Sequence, residues 1–309
     1  MQVVFGVDIG GTTIKIGKFN NNHLLMKKTI KTDISKAGTN ILPDIYQSIE
    51  AMLGDDQLQG IGLGVPGPCV DGVVLGAQNL NWQRVEAKKI LLEHYPGIKV
   101  AVLNDANAAT LGEMAAGGAQ NFSNFVFLTI GTGIGGGIVI NNQLVEGFTG
   151  STGEIGHLRV AFENERQCTC GLFDCLEQYA SATGLVKTVS LLINKEPSLI
   201  KGKEISAENI FYYAKKQDAV CLQAVEVMVE KLATALAAIA NTVNPEAFVI
   251  GGGVSQAGDF LISKLNKRFQ ELAFFSVRST EFHLDQKAPA SSGRMDRSRS
   301  GNRLAGSTL

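Results

Sequence analysis

Asp8-Ile9-Gly10-Gly11-Thr12-Thr13-Ile14-Lys15 is the stretch on which the reading of this chain turns. An apolar run from Val3 to Asp8 enters it, and Thr13 to Phe19 leaves it with Ile14, Ile16 and Phe19 roughly alternating. Apolar residues at about every second position on both sides of a glycine turn predict an antiparallel hairpin. Leu24 to Ile30, beyond the asparagines at 20–22, reads as a third strand, so the chain opens as a meander. With no side chains at Gly10 and Gly11, the turn can bring backbone N–H groups close to phosphate oxygens. Thr12 and Thr13 add hydroxyl donors, and Asp8 at the strand end can hold Mg²⁺ through water. One such turn alone is equally consistent with a plain hairpin.

The pattern recurs downstream. Phe125 to Ile130 reads as a strand running into Gly131-Thr132-Gly133, and Gly135 to Ile140 returns. A third strand-and-glycine junction is Ala247 to Ile250 followed by Gly251-Gly252-Gly253. Three glycine turns after three strands suit a nucleotide held between two related domains. Between them, Ile41, Ile45, Ile49 and Met52 fall at helical spacing. Ile61 to Val65 and Lys99 to Leu103 read as strands, and Ala106 to Ala116 as an alanine-rich helix. A long helix is expected over Ala219 to Val243, closed by Pro245. The expected division is 1–117 and 118–285, with a hinge near Gly117-Gly118.

Two further constellations carry chemistry. Asn104-Asp105 ends the 99–103 strand, where a carboxylate facing a cleft can accept the proton of an attacking hydroxyl. The same position suits an ordinary helix N-cap, because an alanine-rich helix follows. Within the segment of about 147–180, Glu154-Ile155-Gly156-His157 precedes Cys168-Thr169-Cys170-Gly171-Leu172-Phe173-Asp174-Cys175-Leu176-Glu177. One imidazole and three thiolates make a closed, structural Zn²⁺ set, His157, Cys168, Cys170 and Cys175. A redox cluster is the alternative. A metal-held loop would fix Glu154 and Glu177 to grip sugar hydroxyls. A glycosidase pair is the competing use of two such carboxylates, and the nucleotide-type turns argue against it.

Composition narrows the classes. The 309 residues suit two domains, and 45% hydrophobic with 18% charged suits a globular protein. A net charge of −1 without a basic run before the tail gives no electrostatic footprint for nucleic acid. No apolar run reaches the ~18 residues of a membrane helix, and Met1 to Val7 lacks a leader pattern, so the expected location is cytoplasmic. Five cysteines, three of them clustered, fit metal chemistry better than disulfides. Cys69 and Cys221 stand alone and read as small buried hydrophobes.

Taken together, these motifs resemble the ROK family of the actin and hexokinase superfamily, from about residue 3 to about 280. The resemblance rests on Asp8–Lys15, Gly64-Val65-Pro66-Gly67-Pro68, Asn79-Leu80-Asn81-Trp82, Asn104-Asp105, Gly131–Gly137, Glu154–His157, Cys168–Glu177 and Gly251–Gly253. It implies an α/β fold of two ribonuclease-H-like domains around a central cleft. It implies ATP-dependent phosphorylation of a hexose, glucose at O6 first, with Asp105 as general base. It assigns Asn104, Glu154, His157, Glu177, Gly67 and Asn79 to the sugar. It gives Asp8, Gly10, Gly11, Thr12, Thr13, Lys15, Gly131, Thr132, Gly133, Gly252 and Gly253 to ATP and Mg²⁺. His157 would serve zinc with one ring nitrogen and sugar with the other. A homodimer is implied. Kinases for N-acetylhexosamines, mannose or fructose share the motifs, polyphosphate is an alternative donor, and a non-catalytic sugar sensor is a further alternative. Repressors of the family carry a DNA-binding domain ahead of the phosphate turn, and only seven residues precede Asp8 here.

Two positions depart from the family pattern. Asp174 stands where glycine is usual, which is expected to alter the zinc loop but not its ligands. The stretch 286–309 lacks the expected small-residue helix. Reading 294–300 one nucleotide out of frame forces Trp from Met295-Asp296, and suitable codons give Gly-Trp-Ile-Gly-Ala-Ala-Ala, a family-like ending. A frameshift near 284–290 is one account of the tail and a divergent native ending is the other.

Overall fold

The computed structural model describes residues 1–21 and 23–285. The tail at 286–309, with the reading-frame account of it, lies outside the described residues.

Alternation builds the first sheet. Strand β1 (Gln2–Ile9) buries Val3, Phe5, Val7 and Ile9 and turns Gln2, Val4 and Asp8 outward. β2 (Thr13–Asn20) pairs antiparallel with it, burying Ile14 and Ile16 on the same face, and β3 (His23–Lys31) completes the meander. β4 (Gln57–Val65) adds parallel to β1. A short hairpin, β5 (Cys69–Val70) and β6 (Val73–Val74), follows, and β7 (Lys99–Asn104) adds parallel to β4. The sheet order is β3-β2-β1-β4-β7. Helix α1 (Ile41–Leu53) lays Ile41, Ile45, Ile49 and Met52 into the core under this sheet, the spacing of a single helical face. α2 (Ala87–His94) contributes Leu91 to the same core.

The second sheet copies the first. β8 (Phe125–Ile130), β9 (Ile134–Ile140) and β10 (Gln143–Leu144) form a meander. β11 (Ala247–Gly251) and β12 (Glu281–Leu284) add in parallel, in the order β10-β9-β8-β11-β12. β8 and β11 are almost wholly buried, as strands covered on both faces are. Helices α5 (Ala182–Leu192) and α6 (Ala207–Lys215) pack into the second core, and the 25-residue helix α7 (Ala219–Val243) runs through it.

Between the sheets lies α3 (Asp105–Ala116), in contact with both β4 and β9. Its seat on β9 is cut from glycine. A Cβ at Gly135 would come 3.0 Å from Ala106 Cβ, and one at Gly137 would collide with the Thr110 side chain. Close approach of this kind needs a strand without side chains. Α3 therefore joins the two halves at its sides and presents its first residue, Asp105, to the space between them.

Lys18 is 6% exposed, and its Nζ donates to the carbonyls of Met52 (2.7 Å) and Leu53 (2.9 Å) at the C-terminal end of α1, while pairing with Asp56 at 2.7 Å. These carbonyls have no intrahelical donor, so the ammonium stands in for one. Lys18→Met is expected to lower stability by roughly 1.5–3 kcal/mol, the worth of charged hydrogen bonds. A reduced midpoint in urea unfolding would show it, and an unchanged midpoint would remove the capping role.

Candidate active site

A cleft of about 700 Å³ opens between the two sheets. Pro66, Gly67, Asn79, Asn104 and Asp105 line it from the first half, and Gly131, Thr132, Gly133, Glu154, His157 and Glu177 from the second. Asn104 is the N-cap of α3: its Oδ1 accepts the N–H groups of Ala106 (2.9 Å) and Asn107 (3.3 Å). The capping duty that the sequence left open for Asp105 thus falls to its neighbour. Asn104 Nδ2 also donates to Gly67 O at 3.4 Å, tying the cap to the Pro-Gly turn. Asp105 Oδ1 accepts the following N–H at 2.8 Å, and Asp105 lines the cleft.

The surroundings push the Asp105 pKa up. Crowding by the cleft walls, which strips water from the ionised form, is the largest cause; the Ala106 N–H opposes it, and the negative charge of Asp8 adds to it. A carboxyl shifted towards neutrality by a cleft suits a proton acceptor.

Across the cleft, Glu177 opens the short helix α4 (Glu177–Ala180). Its Oε2 accepts the Ile134 N–H at 3.0 Å, and a Cβ at Gly133 would collide with it. The glycine turn and Glu177 are therefore one unit. Glu154 and His157 flank a single helical turn, with Glu154 Oε2 4.0 Å from His157 Nε2. The other ring nitrogen, Nδ1, lies 3.6 Å from Cys168 Sγ, and Cys170 Sγ lies 3.7 Å from Cys175 Sγ. The four ligand atoms of His157, Cys168, Cys170 and Cys175 all fall within 4.8 Å of one another. A tetrahedral ion with bonds of about 2.0–2.3 Å needs ligand edges of about 3.5–3.8 Å, so the set fits one. Burial resists ionisation at Cys168, but the Cys170 N–H and the neighbouring thiols and imidazole hold its pKa down to about 7. Burial and the other two thiols push Cys175 up. Several thiolates in one pocket need a cation to coexist.

Some expected residues stand elsewhere. Gly10, Gly11, Thr12 and Thr13 form a tight turn, with Gly10 N–H donating to Thr13 O at 3.0 Å, that packs against the cleft residue Asn79 rather than lining the cleft. Asp8 and Lys15 pair at 3.0 Å in an adjoining groove that also reaches Asp105. Gly252 and Gly253 do not line the cleft either. Gly252, at φ +83°, presses on the backbone of Ile130 at the end of β8. A strand-end glycine is a weak pointer to a cavity because close backbone packing asks for the same residue. The cleft also uses Thr129, Gly150, Thr152 and Gly153, which sequence reasoning missed. The dense Gly/Thr run 147–153 just ahead of Glu154 was the available signal.

Comparison with known proteins bears on this geometry. A family model described as "ROK family" matches residues 4–295. This chain belongs to the ROK family. The ROK chain is 38% identical over 282 residues to a glucokinase of Halalkalibacterium halodurans, covering 87% of this chain and 85% of that one. It is 34% identical over 286 residues to a xylose repressor of Caldicellulosiruptor bescii, covering 88% of this chain and 71% of the other. Among solved structures, a ROK family glucokinase from Streptomyces griseus in complex with glucose and AMPPNP matches at 31% identity with TM-score 0.74, covering 92% and 94% of the two chains. The paired five-stranded sheets of the ROK chain are accordingly an actin/hexokinase-type fold. Among its described residues no helix is long and apolar enough to cross a membrane.

Proposed function

We propose that this chain is a sugar kinase that moves the γ-phosphoryl group of ATP to a hexose hydroxyl, O6 of glucose first. The observation that carries the reading is Asp105: a carboxyl with a raised pKa, beside the Asn104 cap, at the start of a helix joining both halves and across the cleft from Glu154, His157 and Glu177. Neutral polar groups around a carboxylate pair suit polyhydroxy substrates. The glucokinase relatives support the same substrate.

In this reading Glu154, His157, Glu177, Asn104, Asn79 and Gly67 hold the sugar, and Asp105 accepts the proton of its hydroxyl. The freed oxygen forms a bond to the γ-phosphorus as the bond from that phosphorus to the bridging oxygen of ADP breaks, the bond pair leaving with ADP. The proton passes from Asp105 to solvent. Gly131–Gly133 line the cleft and would meet the phosphates, while Gly10–Thr13, Lys15, Gly252 and Gly253, which stand outside it, would reach ATP once the halves close, the last two towards the adenosine side. Mg²⁺ would supply charge neutralisation on the phosphates, and Asp8 is the carboxylate that would hold its hydration shell. Zn²⁺ is the ion whose chemistry suits His157, Cys168, Cys170 and Cys175, and it would secure the loop that carries Glu177. Closure of 1–117 on 118–285 would exclude water. The reading carries a cytoplasmic homodimer, where ATP is available and thiols stay reduced; light scattering after gel filtration checks the stoichiometry.

The repressor relative favours a second reading, a sugar binder without turnover. Release of ADP from MgATP, coupled to NADH oxidation, separates the two across glucose, mannose, fructose and the N-acetylhexosamines, and direct detection of sugar phosphate reads polyphosphate as the alternative donor. Turnover with glucose is the expected result. Tight sugar binding with neither ADP release nor sugar phosphate would replace the kinase by the sensor.

A further inference from the structure

Asp174 is fully buried one residue before the metal-ligand candidate Cys175. Its Oδ2 accepts the N–H of Asn164 at 2.6 Å. Its Oδ1 accepts the N–H groups of Glu165 (3.1 Å) and Arg166 (3.0 Å) and the Tyr179 hydroxyl (2.8 Å). Its own N–H donates to Arg166 O at 2.8 Å, and its carbonyl accepts Val160 N–H at 3.0 Å. The Arg166 guanidinium, also buried, lies over the Tyr179 ring at 4.1 Å and donates to Gln178 O at 2.7 Å and Thr188 Oγ1 at 3.0 Å. A dry carboxylate is tolerated only when its lone pairs are filled, and here four donors fill them.

The location gives this node its meaning. Gln167 and Phe173 bridge the base of the cysteine hairpin, and the amides gathered by Asp174 lie just before Gln167. Cys175 and Glu177 follow on the other arm. Both arms are therefore fastened beneath the thiols by groups that are not metal ligands. Asp174 adopts φ +59°, in the left-handed region that favours glycine, so its carboxylate is the feature that a glycine would not supply.

We propose that Asp174 is a positioning residue that holds the cysteine hairpin and Glu177 in place from below, so that the loop keeps its shape without metal and the ion fastens it rather than builds it. Only the part of this that concerns Glu177 and sugar rests on the kinase reading.

The test compares Asp174→Gly, which keeps the backbone angle and deletes the acceptor, with Asp174→Asn, whose carbonyl Oδ1 can retain three of the four bonds. In the wild-type chain stripped of Zn²⁺ by chelation, the amides of 164–166 are expected to stay protected from hydrogen exchange. In Asp174→Gly they exchange readily even with Zn²⁺ bound, and Zn²⁺ affinity falls about 10–100-fold, the range for groups supporting a metal ligand. Asp174→Asn falls between and keeps the protein measurable if the glycine variant does not fold. The sugar KM rises in Asp174→Gly while the ATP KM stays near wild type, a split that general loosening of the fold would not produce. Loss of protection at 164–166 on stripping the wild type, or wild-type Zn²⁺ affinity in Asp174→Gly, overturns the proposal. A wild-type chain that turns over no sugar refutes the kinase reading alone, and the exchange and Zn²⁺ measurements still decide the role of Asp174.

Discussion

Asp105→Asn is expected to lower kcat by about 10²–10⁴-fold, the usual worth of a positioned base, while sugar affinity stays within a few-fold. The substitution keeps the side-chain shape and an acceptor for the Ala106 N–H, which Asp105 holds at 2.8 Å. It leaves the Asn104 cap untouched, so α3 keeps its start. The pH behaviour gives an independent reading. Cleft crowding, with a contribution from Asp8, raises the Asp105 pKa above its ordinary 3.8. Wild-type kcat/KM should therefore fall as pH drops through that raised value, because the base fills with its proton. The stability effect has the opposite sense. A carboxyl whose pKa is raised by folding contributes stability below its unfolded pKa and loses it as pH rises through the folded one. Asp105→Asn should thus melt higher than wild type near neutral pH, and the gap should close in acid. Kinetics and calorimetry across pH check both, and a variant that still phosphorylates sugar at the wild-type rate removes Asp105 as base.

Gly156→Ala is expected to damage folding and substrate handling together. A Cβ at Gly156 would collide with the carbonyl oxygen of Ile134. The obstacle is backbone, at the start of β9, and it cannot swing aside as a side chain can. Ile134 also gives its N–H to Glu177. Pushing the 155–157 turn off β9 therefore moves Glu154 and His157, or shifts the residue that holds Glu177. Overpacking of this kind costs about 1–3 kcal/mol, and misplacement by about 1 Å can cost about 10²-fold in kcat/KM. Urea unfolding and steady-state kinetics measure the two effects. An alanine variant with wild-type midpoint and kcat/KM would show that the turn has room the contact distances deny.

The parts of this molecule legible in the sequence are those whose cause is local. The β1–β3 meander shows in the alternation of Val3, Phe5 and Val7 with Ile14 and Ile16, and α7 shows from Ala219 to Val243 because its composition and the Pro245 stop act within the segment. The cysteine cluster was legible through spacing, since tetrahedral ligation limits how far apart ligands can sit along a hairpin. The harder parts depend on partners distant in sequence. Asn104 and Asp105 are both good caps, and only their placement against Gly67 and the cleft separates their duties. Glycine signals a turn, a close approach or an anion contact with the same letter, so Gly252 reads like Gly131 although one supports a strand end and the other faces the cleft. Asp174 was visible as an unexpected residue, but its role needs the amides of 164–166 folded over it.

The matching strand orders of the two sheets have a historical side. β8 and β9 stand to β11 and β12 as β1 and β2 stand to β4 and β7, and α7 precedes β11 as α1 precedes β4. The two halves differ most between the meander and the helix that follows it. Only residues 32–40 separate β3 from α1, whereas 145–218 separate β10 from α7, and that longer stretch holds Glu154, His157, the cysteines and Glu177. An ancestral doubling of one unit would account for the matching strand orders, with the longer stretch inserted into one copy. Under the kinase reading, a change of guest would then be written into that insertion while the doubled frame passes on unchanged.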